Sequence, residues 1–599
     1  YSFNSSPHNQ ISMSLLRACA QRRARPWVQA RCYTLPKQDP TLAKKDIGVS
    51  RRAGPPEFIE HWNPTVFKQV GAGLGLASAA LFVHNPWVGS PLAAFTAFYW
   101  FRGVSDMAQK NSAVRRNFPF LGNVRYLLES IRPEIRQYFI ETDWEHTPFQ
   151  RAARALVYQR AKGADDTLCF GTRHNTYEVG YKFVAHSLWP SHVPEENRRV
   201  KIGGPDCTQP YLASIFNISA MSYGALSENA VLALNTAAAR GKFYHNTGEG
   251  GMSRFHLQPG GDIVWNVGTG YFGCGTGTTK RMFDPVMFKE NATRPNCKMI
   301  EIKLSQGAKP AHGGMLPKAK ITPAIAEARG LAYPATGDCN SPPRHTAFSS
   351  PEGLCEFIAQ LRELSGGKPV GFKICIGQPE DFSELVHAML KTGIKPDFIT
   401  IDGGEGGTGA APAEFVDHVG MPMREGLAMV NALLVGANLR KDIRLIAAGK
   451  ITSGFDIVEA MAYGADICNS ARGMMFALGC IQALKCNTNK CPTGITTQDP
   501  QLMSGLVVPD KALRVQHYQH KTSESAFELM GAMGLECPTL VRPHHILRRI
   551  DECTVRTLGE CYPHLEIKPG ALLRKDSGLP RLQTAFDLDD GMVQRGYVS

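Results

Sequence analysis

From residue 369 onward, short runs of apolar residues alternate with longer stretches in which apolar residues recur every three or four positions. The short runs predict strands, and the longer stretches predict amphipathic helices. The predicted strands are 369–377, 397–404, 443–450 and 465–473, and the predicted helices are 379–393, 424–437, 454–464 and 474–484. Continuous apolar strands are typical of a parallel sheet that is buried on both faces. Serial strand–helix pairs predict a closed barrel or an open doubly wound sheet.

The alternation begins further upstream, where 212–222 predicts a strand and 227–241 predicts a helix with Ser227 as its N-cap. Every predicted strand from 369 on ends in a glycine-rich or polar loop. Such loops are typical of the carboxyl ends of barrel strands, where barrel active sites lie. We therefore predict an α/β fold, a (β/α)8 TIM barrel with an N-terminal hydrophobic and helical extension and a C-terminal helical extension. The predicted regions are 105–204 (helical), 205–491 (barrel) and 492–599 (extension).

A segment without charged residues precedes these regions. Residues 69–101 contain no Asp, Glu, Lys or Arg, and the polar sequence at 84–87 interrupts them. Each half has about 15 residues, fewer than the ~20 of a typical membrane-spanning helix. The alternatives are a tight hairpin of two short helices, one kinked span, or an apolar hairpin packed on the protein's own surface or on a second subunit. Aromatic residues near the ends fit interfacial anchoring, so we expect a membrane-associated hairpin over 64–104.

The net charge of +13 is concentrated at the N-terminus. Residues 1–38 hold six basic residues and no acidic one, which leaves +7 on the rest of the chain. This composition, read from Met13, predicts a transit peptide and a mitochondrial, inner-membrane-associated location, with a plastid as the alternative. We expect residues 1–12 to be non-native upstream sequence. No basic stripe with interleaved aromatic residues occurs, which argues against nucleic-acid binding.

Three cysteines lie close together in a C-x5-C-x4-C pattern, Cys480, Cys486 and Cys491, and a proline follows the last. Iron–sulfur clusters are held by cysteine thiolates, and ferredoxin-type motifs also end in Cys-Pro. Three ligands without a fourth nearby suit a cluster of three irons. Structural zinc prefers closer cysteine pairs and four ligands. Zinc and three reduced thiols remain the alternatives.

Glycine-rich loops after the last two predicted strands suggest a phosphate site. Backbone N–H groups at a helix start bind anions, FMN carries one phosphate, and Arg472 could add a charge-assisted hydrogen bond. The denser loop 402–412 would let the backbone approach a planar ligand, because only glycine lacks a Cβ. Lys373 interrupts an apolar strand and needs an anionic partner, for which we expect the flavin. The glycines of the dense loop that we assign to the cofactor are Gly403, Gly404, Gly406 and Gly407.

The stretch from about 213 to 500 resembles the synthase domain of glutamate synthases, an FMN-binding (β/α)8 barrel with a 3Fe-4S cluster. The matching segments are ISAMSYGALSENA (218–230), NTGEGG (246–251), QGAKPAHGGMLP (306–317), SPPRHTAFSSPEGL (341–354), EGGTGAAP (405–412) and GCIQALKCNTNKCPTGITTQDP (479–500). Within that family the chain resembles the stand-alone FMN-binding glutamate synthase family proteins. That similarity extends to 118–187 and to the C-terminal region.

The resemblance implies a role for each matching residue. It places the 3Fe-4S cluster on the three cysteines and the substrate on a separate set of side chains. The implied flavin-ring residues are Ser219, Met221, Ser222 and Lys373. The implied phosphate-site residues are Gly449, Lys450, Ala471, Arg472 and Gly473. The implied catalytic residues are Glu249, Gln306 and Lys309, to which we add His312.

The resemblance also implies a reaction, in which reduced FMN transfers a hydride to 2-iminoglutarate, formed from 2-oxoglutarate and ammonia, to make glutamate. Glutamate synthases proper read KPGEGGQLPG where 309–318 reads KPAHGGMLPK, so His312 replaces a carboxylate and Met315 an amide on the substrate loop. We expect no glutaminase domain in this chain.

The charge-free segment 69–101 supports a second hypothesis, in which the protein is a membrane-associated flavin oxidoreductase that oxidises an amine or a hydroxy acid. A structural subunit of a mitochondrial assembly is the non-enzymatic alternative. Because no NAD(P)H fingerprint is present, we expect an external electron-donor protein, a ferredoxin or a flavoprotein subunit. We also expect a homo-oligomer.

Overall fold

The structure is a computed structural model that describes residues 61–145, 147–277 and 281–587. The predicted transit peptide and residues 1–12 lie outside the described residues. The chain divides into two compact units, one that ends at Ile140 and one that begins at Glu141.

The α-helices and strands are as follows. The helices are α1 (Pro64–His84), α2 (Pro86–Ala108), α3 (Ala113–Asn117), α4 (Gly122–Ile135), α5 (Arg151–Lys162), α6 (Glu228–Gly241), α7 (Arg254–Leu257), α8 (Pro285–Ala292), α9 (Pro323–Arg329), α10 (Pro351–Leu364), α11 (Pro379–Thr392), α12 (Ala413–His418), α13 (Met423–Gly436), α14 (Gly454–Ala462), α15 (Arg472–Leu478), α16 (Pro500–Ser504), α17 (Val508–Ala532), α18 (Leu558–Cys561) and α19 (Pro580–Asp587). The strands are β1 (Lys182–Val184), β2 (Arg199–Ile202), β3 (Tyr211–Ser214), β4 (Phe216–Ile218), β5 (His245–Asn246), β6 (Ile263–Val267), β7 (Gly275–Thr276), β8 (Met282–Phe283), β9 (Cys297–Lys303), β10 (Met315–Leu316), β11 (Cys339–Asn340), β12 (Val370–Ile374), β13 (Phe398–Asp402), β14 (Arg444–Ala448), β15 (Ile467–Ser470), β16 (Ile546–Arg549) and β17 (Val555–Thr557).

A closed parallel barrel forms the centre of the second unit. Its strands, in order, are β4, β5, β6, β9, β12, β13, β14 and β15. The barrel closes where β15 pairs in parallel with β4, with Cys468 opposite Phe216. Each of these strands is almost wholly buried, as expected for strands covered on both faces. The TIM-barrel prediction is confirmed.

Local signals set the ends of several helices. The Ser227 side chain accepts a hydrogen bond from the Ala230 N–H at the start of α6, as predicted for an N-cap. The helix predicted over 474–484 is wrong in its extent, because it begins at Arg472 and ends at Leu478. Gly479 follows at a φ of 112°, a left-handed conformation that glycine adopts without a Cβ penalty.

The strand predicted over 212–222 is two strands. Its first part, β3, pairs antiparallel with β2 outside the barrel, and its second part, β4, enters the barrel. The Gln519 side chain donates hydrogen bonds to Ser214 Oγ and the Phe216 carbonyl on either side of the break. A continuous apolar pattern cannot show such a change of sheet.

The C-terminal extension is helical only in part. Its 25-residue helix α17 packs against α6 and α5. The extension also contains the strands β16 and β17. These strands form a three-stranded sheet with β1 from the region that precedes the barrel. The regions 105–204 and 492–599, which were predicted separately, therefore share a sheet.

The first unit contains a helical hairpin of α1 and α2. The Phe67 and Tyr99 rings stack at 4.6 Å, and the Tyr99 hydroxyl donates to the Phe67 carbonyl. Gly71 lies against the Trp100 ring, since small residues let helices approach closely. The structure thus contains a hairpin, but its helices have 21 and 23 residues. The expectation of two short helices of about 15 residues is wrong, because each helix extends beyond the charge-free segment. Among the described helices, α1 alone is long and apolar enough to cross a membrane.

Candidate functional site

A cavity opens at the carboxyl ends of the barrel strands. It is lined by the loops after β14 and β15, the end of β4, and parts of β12 and β13. The lining residues are Phe149, Ser219, Ala220, Lys373, Asp402, Gly406, Gly407, Ala448, Gly449, Lys450, Ile451, Asn469, Ser470, Ala471, Arg472 and Gly473. This is the end of the barrel at which barrel enzymes carry their active sites.

Most of the predicted cofactor residues meet in this cavity. Those that line it are Ser219, Lys373, Gly406, Gly407, Gly449, Lys450, Ala471, Arg472 and Gly473. Met221 and Ser222 do not line it and lie instead against Gly248. Gly403 lies against Gly307 and Gly404 against Gly420, so both pack between loops rather than facing the cavity.

Two glycines in the cavity wall stand where a side chain would not fit. A Cβ on Gly473 would lie 2.5 Å from Ser470 Oγ and 2.6 Å from the Tyr518 hydroxyl. A Cβ on Gly407 would lie 2.8 Å from Arg472 Nε. Real Cβ atoms do not approach other atoms this closely, so glycine keeps the backbone of both loops open to a ligand.

Lys373 has a partner within the protein. Its Nζ lies 3.0 Å from Asp402 Oδ2, and it is 6% exposed. Burial alone would lower the pKa of Lys373, but Asp402, Glu301 and Glu249 together raise it above its usual value. Lys373 is therefore positively charged at the cavity floor. Asp402 is the anion within the protein that balances this buried charge, so the charge does not depend on a bound ligand.

The cavity wall formed by the loops after β14 and β15 is cationic, and it lies beside Phe149, a residue that sequence reasoning missed. The guanidinium of Arg472 lies 4.7 Å from the Phe149 ring centroid, and Arg472 Nη2 donates to the Glu405 carbonyl. Burial lowers the pKa of both Lys450 and Arg472, and their mutual repulsion adds to the effect at Lys450. Phe149 belongs to the segment before the barrel, and nothing in its local sequence indicates that it reaches the barrel mouth.

A buried ion pair forms beside the cavity. Lys303 Nζ lies 2.9 Å from Glu249 Oε2. Burial would raise the pKa of the Glu249 carboxyl, but Lys303, Arg329 and Lys309 outweigh it and lower that pKa. Glu249 also touches Gly314. The loop after β5 and the loop after β9 therefore meet at this carboxylate.

The other predicted catalytic residues lie on the loop after β9. The Gln306 side chain donates to Thr408 Oγ1 at 3.3 Å, and Lys309 Nζ donates to the Ala410 carbonyl at 2.7 Å. Burial lowers the pKa of Lys309 to about 8. These contacts join the loop after β9 to the loop after β13.

His312, the fourth predicted catalytic residue, lies further along the same loop. Its Nδ1 lies 3.0 Å from the Gly313 carbonyl, and its ring lies 5.6 Å from that of Phe415. Gly307 N donates to Asp402 Oδ2. The loop after β9 is thereby hydrogen-bonded to Asp402, the residue that also forms the ion pair with Lys373.

Glu301 is a second buried acid that sequence reasoning missed. Its carboxylate accepts hydrogen bonds from the side chains of Asn246, Asn266 and Thr400 at 2.7–2.8 Å. These partners belong to three other barrel strands, so Glu301 crosslinks the barrel beneath the cavity. The signal in the sequence was a lone acid inside the apolar run at 297–303.

The three clustered cysteines are neighbours in space. Cys480 interacts electrostatically with both Cys486 and Cys491. Burial would raise the pKa of Cys491, but hydrogen bonds from Thr493 and Thr496 lower it to about 7. Since the thiolate is the form that binds metals, these donors suit a ligand. No group of three potential metal ligands has preformed metal-binding geometry in the described ranges.

Lys320 closes one side of the cysteine loop. It is 2% exposed, and its Nζ donates to the carbonyls of Cys486 and Thr496 at 2.7 and 2.8 Å. The structure thus places an ammonium group beside the cysteines. Lys318, which is two residues away, is exposed.

The sequence of this chain is similar to those of glutamate synthases and glutamate synthase-like proteins. Residues 192–536 match the family model described as the conserved region in glutamate synthase. The chain is 35% identical over 506 residues to the glutamate synthase large subunit-like protein YerD of Bacillus subtilis, covering 78% of this chain and 94% of that protein. It is 36% identical over 364 residues to the archaeal glutamate synthase (NADPH) of Methanocaldococcus jannaschii, covering 60% of this chain and 66% of that protein.

Other matches are more partial. The chain is 35% identical to the archaeal-type glutamate synthase (NADPH) of Thermotoga neapolitana, but it covers only 59% of that protein. Among solved structures, a mandelate oxidase aligns over 68% of this chain and 89% of its own, at 15% identity and a TM-score of 0.36.

Proposed function

The chain belongs to the glutamate synthase family, and we propose that it is an FMN-dependent oxidoreductase that reduces 2-iminoglutarate, formed from 2-oxoglutarate and ammonia, to glutamate. The observation that carries the proposal is that Asp402 joins the cavity floor to the loop after β9, a contact that we call the junction at Asp402. This carboxylate pairs with Lys373 on the cavity floor and accepts from Gly307 on the substrate loop. The junction therefore links the floor of the cavity to the loop after β9, which carries the predicted substrate residues.

The residues present fit FMN. The loops after β14 and β15 bring backbone and cationic groups to one wall, and Gly407 and Gly473 keep the backbone accessible. In this arrangement Lys450 and Arg472 would hold the phosphate, while Ser219 and Lys373 would contact the ring. When bound, FMN would supply the hydride.

The residues around Glu249 fit a dicarboxylate imine. Lys309 would leave the Ala410 carbonyl to pair with a substrate carboxylate. Glu249, which is ionised because Lys303 holds it, would accept a hydrogen bond from the protonated imine nitrogen. Gln306 and His312 would complete the substrate pocket. The imine carbon would take up the hydride, and its nitrogen would keep the proton as the amine forms.

The three cysteines support a 3Fe-4S cluster. Cys480, Cys486 and Cys491 lie together. The Gln482 N–H donates to Cys480 Sγ, Thr493 Oγ1 lies 3.3 Å from Cys491 Sγ, and Lys320 offsets negative charge nearby. A cluster here would pass electrons singly to the flavin. We propose that an external protein supplies those electrons and that the chain forms a homo-oligomer.

We also propose that the α1–α2 hairpin attaches the protein to a membrane, in keeping with the inner mitochondrial membrane expected from residues 1–38 or, as the alternative, a plastid membrane. Exposed apolar side chains cover the hairpin, among them Leu76 and Trp87 at 75% and 91% exposure. This surface also supports the second candidate, a flavin oxidoreductase that oxidises an amine or hydroxy acid at a membrane. A structural subunit is the third candidate.

One experiment separates these candidates. We would purify the full chain anaerobically in mild detergent, photoreduce its flavin, and follow flavin absorbance after adding 2-oxoglutarate with ammonia. Rapid reoxidation supports glutamate formation. A flavin that stays reduced with this pair, but is reduced in the dark by an amine or hydroxy acid, supports the second candidate.

Two further results concern the remaining claims. The absence of a flavin band would contradict both enzymatic readings and leave the structural subunit. Rapid NADPH oxidation without any added protein would contradict the external electron donor.

A further inference from the structure

Helix α4 carries an exposed apolar stripe that the barrel chemistry does not use. Val124, Leu127, Leu128, Ile131 and Ile135 are 50%, 59%, 56%, 40% and 37% exposed. At 3.6 residues per turn they share one face about 100° wide. The chain continues into a π-helix, Arg136–Ile140, where Phe139 is 84% exposed. Large apolar side chains left in contact with water along a whole helix face indicate a binding surface.

Three arginines border this stripe. Arg125, Arg132 and Arg136 project within about 40° of one another along one edge of the stripe, on the same geometry. All three are exposed. A helix with an apolar face flanked by Arg or Lys is the pattern of helices that lie in the headgroup layer of anionic membranes. Glu129 lies on the same flank and Glu134 at the opposite edge of the stripe. The three arginines exceed these two glutamates by one positive charge, which favours an anionic surface over an uncharged apolar protein groove.

Buried polar contacts hold α4 at one end of the hairpin. Asp106 near the end of α2 is 1% exposed; it accepts hydrogen bonds from the Asn123 side chain and from Phe120 N. Arg102 donates to Asn123 and lies 3.5 Å from Asp106. This network fixes the start of α4 to the last turns of α2.

The start of α1 joins the same end of the hairpin. The Trp62 indole donates to the Pro119 carbonyl at 2.7 Å, just before α4. The tip of the hairpin, at Asn85, is therefore at the opposite end from α4. Helix α1, with 21 residues, is about 30 Å long, which matches the hydrocarbon thickness of a bilayer.

We propose that α4 lies in the headgroup layer of an anionic membrane, with its apolar stripe toward the acyl chains and its arginines on lipid phosphates. The hairpin then enters the bilayer from the same face, with its base next to α4. This inference extends the attachment proposed for the hairpin and does not depend on the reaction.

The test measures hydrogen exchange in the segment 122–140 of the full chain, reconstituted in vesicles of phosphatidylcholine alone or of phosphatidylcholine and phosphatidylserine in equal parts. We expect exchange to slow by about tenfold in the anionic vesicles, the equivalent of one buried leucine side chain. Leu128→Glu should remove that protection. Ser130→Glu, which adds the same charge outside the stripe, should not.

A charge variant tests the arginine flank. Arg125→Gln with Arg132→Gln should remove the difference between the two vesicle types, whereas Lys391→Gln on the barrel surface should leave it. Flavin content checks the folding of every variant and is read independently of membrane binding.

Three results would overturn the inference. Equal protection in both vesicle types would contradict anionic lipid as the partner. Protection that appears without vesicles and rises with protein concentration would assign the stripe to a second copy of the chain. If the segment 61–108 is protected in vesicles while 122–140 is not, the hairpin attachment survives and the role of α4 is wrong.

Discussion

The α1–α2 hairpin and the barrel bury different sets of side chains, because most buried residues of the hairpin other than Phe67 and Tyr99 are small or polar. In the hairpin, Gly71, Ser78, Thr96 and Asp106 are buried, whereas Leu76 is 75% exposed. In the barrel, almost every large apolar side chain of the strands is buried. Burial of apolar surface stabilises a protein in water, while helices in lipid pack through small residues. The two regions are therefore suited to different solvents.

The two regions also differ in how they use buried charge. At the barrel mouth, Lys373 with Asp402 and Lys303 with Glu249 are held beside a cavity. In the first unit, Asp106 joins a network that only links helices. Charge buried beside a cavity is available to a ligand, whereas charge buried between helices sets their arrangement. The predictions below test this contrast, beginning with the largest expected effect.

Cys486→Ser should remove the iron–sulfur cluster, because a cluster site with two remaining thiolates cannot hold it. We expect bound iron to fall to background and the low-temperature EPR signal of the oxidised cluster to vanish. Cys553→Ser, at an exposed free cysteine, is the control. Retention of full iron by the Cys486 variant would show that Cys486 is not a ligand of the cluster.

Glu249→Gln should slow reoxidation of the reduced flavin by 2-oxoglutarate with ammonia by about 100- to 1000-fold. The substitution leaves the buried Lys303 ammonium without its carboxylate and removes the acceptor for the imine proton. Stopped-flow absorbance measures the rate. Asp106→Asn removes a buried charge from the first unit and should leave the rate unchanged. Equal losses in both variants would mean that the two buried charges do not differ in role.

Leu427→Ala should lower the free energy of unfolding of the barrel by about 2–5 kcal/mol, because it opens a cavity in a close-packed core. Leu427 on α13 is 0% exposed. Leu76→Ala makes the same change on the exposed face of α1 and should alter that free energy by less than about 0.5 kcal/mol. Denaturant titration followed by circular dichroism makes the comparison. A large loss at Leu76 would show that its face packs on protein.

The pH dependence of substrate affinity should reflect Lys309. Burial lowers its pKa to about 8, so its positive charge is present below that pH and is lost as the pH rises through it. We expect the KM for 2-oxoglutarate to rise about tenfold for each pH unit above 8, as a single lost proton requires. Lys309→Arg should move this limb to higher pH, because guanidinium stays charged. An unchanged limb in that variant would assign it to another group.

Lys320→Met should lower the midpoint potential of the cluster, on the order of 60 mV for a tenfold change in a one-electron equilibrium. A nearby positive charge stabilises the more negative, reduced state, and Lys320 is held by the Cys486 and Thr496 carbonyls. Redox titration monitored by EPR measures the shift. Lys318→Met, at an exposed lysine, should leave the potential unchanged. A potential that is equal in both variants would give Lys320 a structural role only.

The amino-acid sequence by itself determined the barrel and the membership of most of its cavity. Strands that are buried on both faces are mostly apolar, so β12 to β15 could be predicted from short apolar runs with few polar positions. The turn after each strand must carry glycine or a polar group, which marked Gly449 and Gly473 in advance. The hairpin could also be predicted from the sequence, because exposing a long charge-free segment to water costs free energy.

The tertiary structure alone decided the partners of the buried groups. Phe149 reaches Arg472 across more than 300 positions of the chain, and Lys373 takes Asp402 as its anion. Periodicity reports which face of an element is buried, but not which distant residue covers it. The sheet of β1, β16 and β17 escaped prediction for the same physical reason. Strand pairing depends on residues that become neighbours only after the chain has folded.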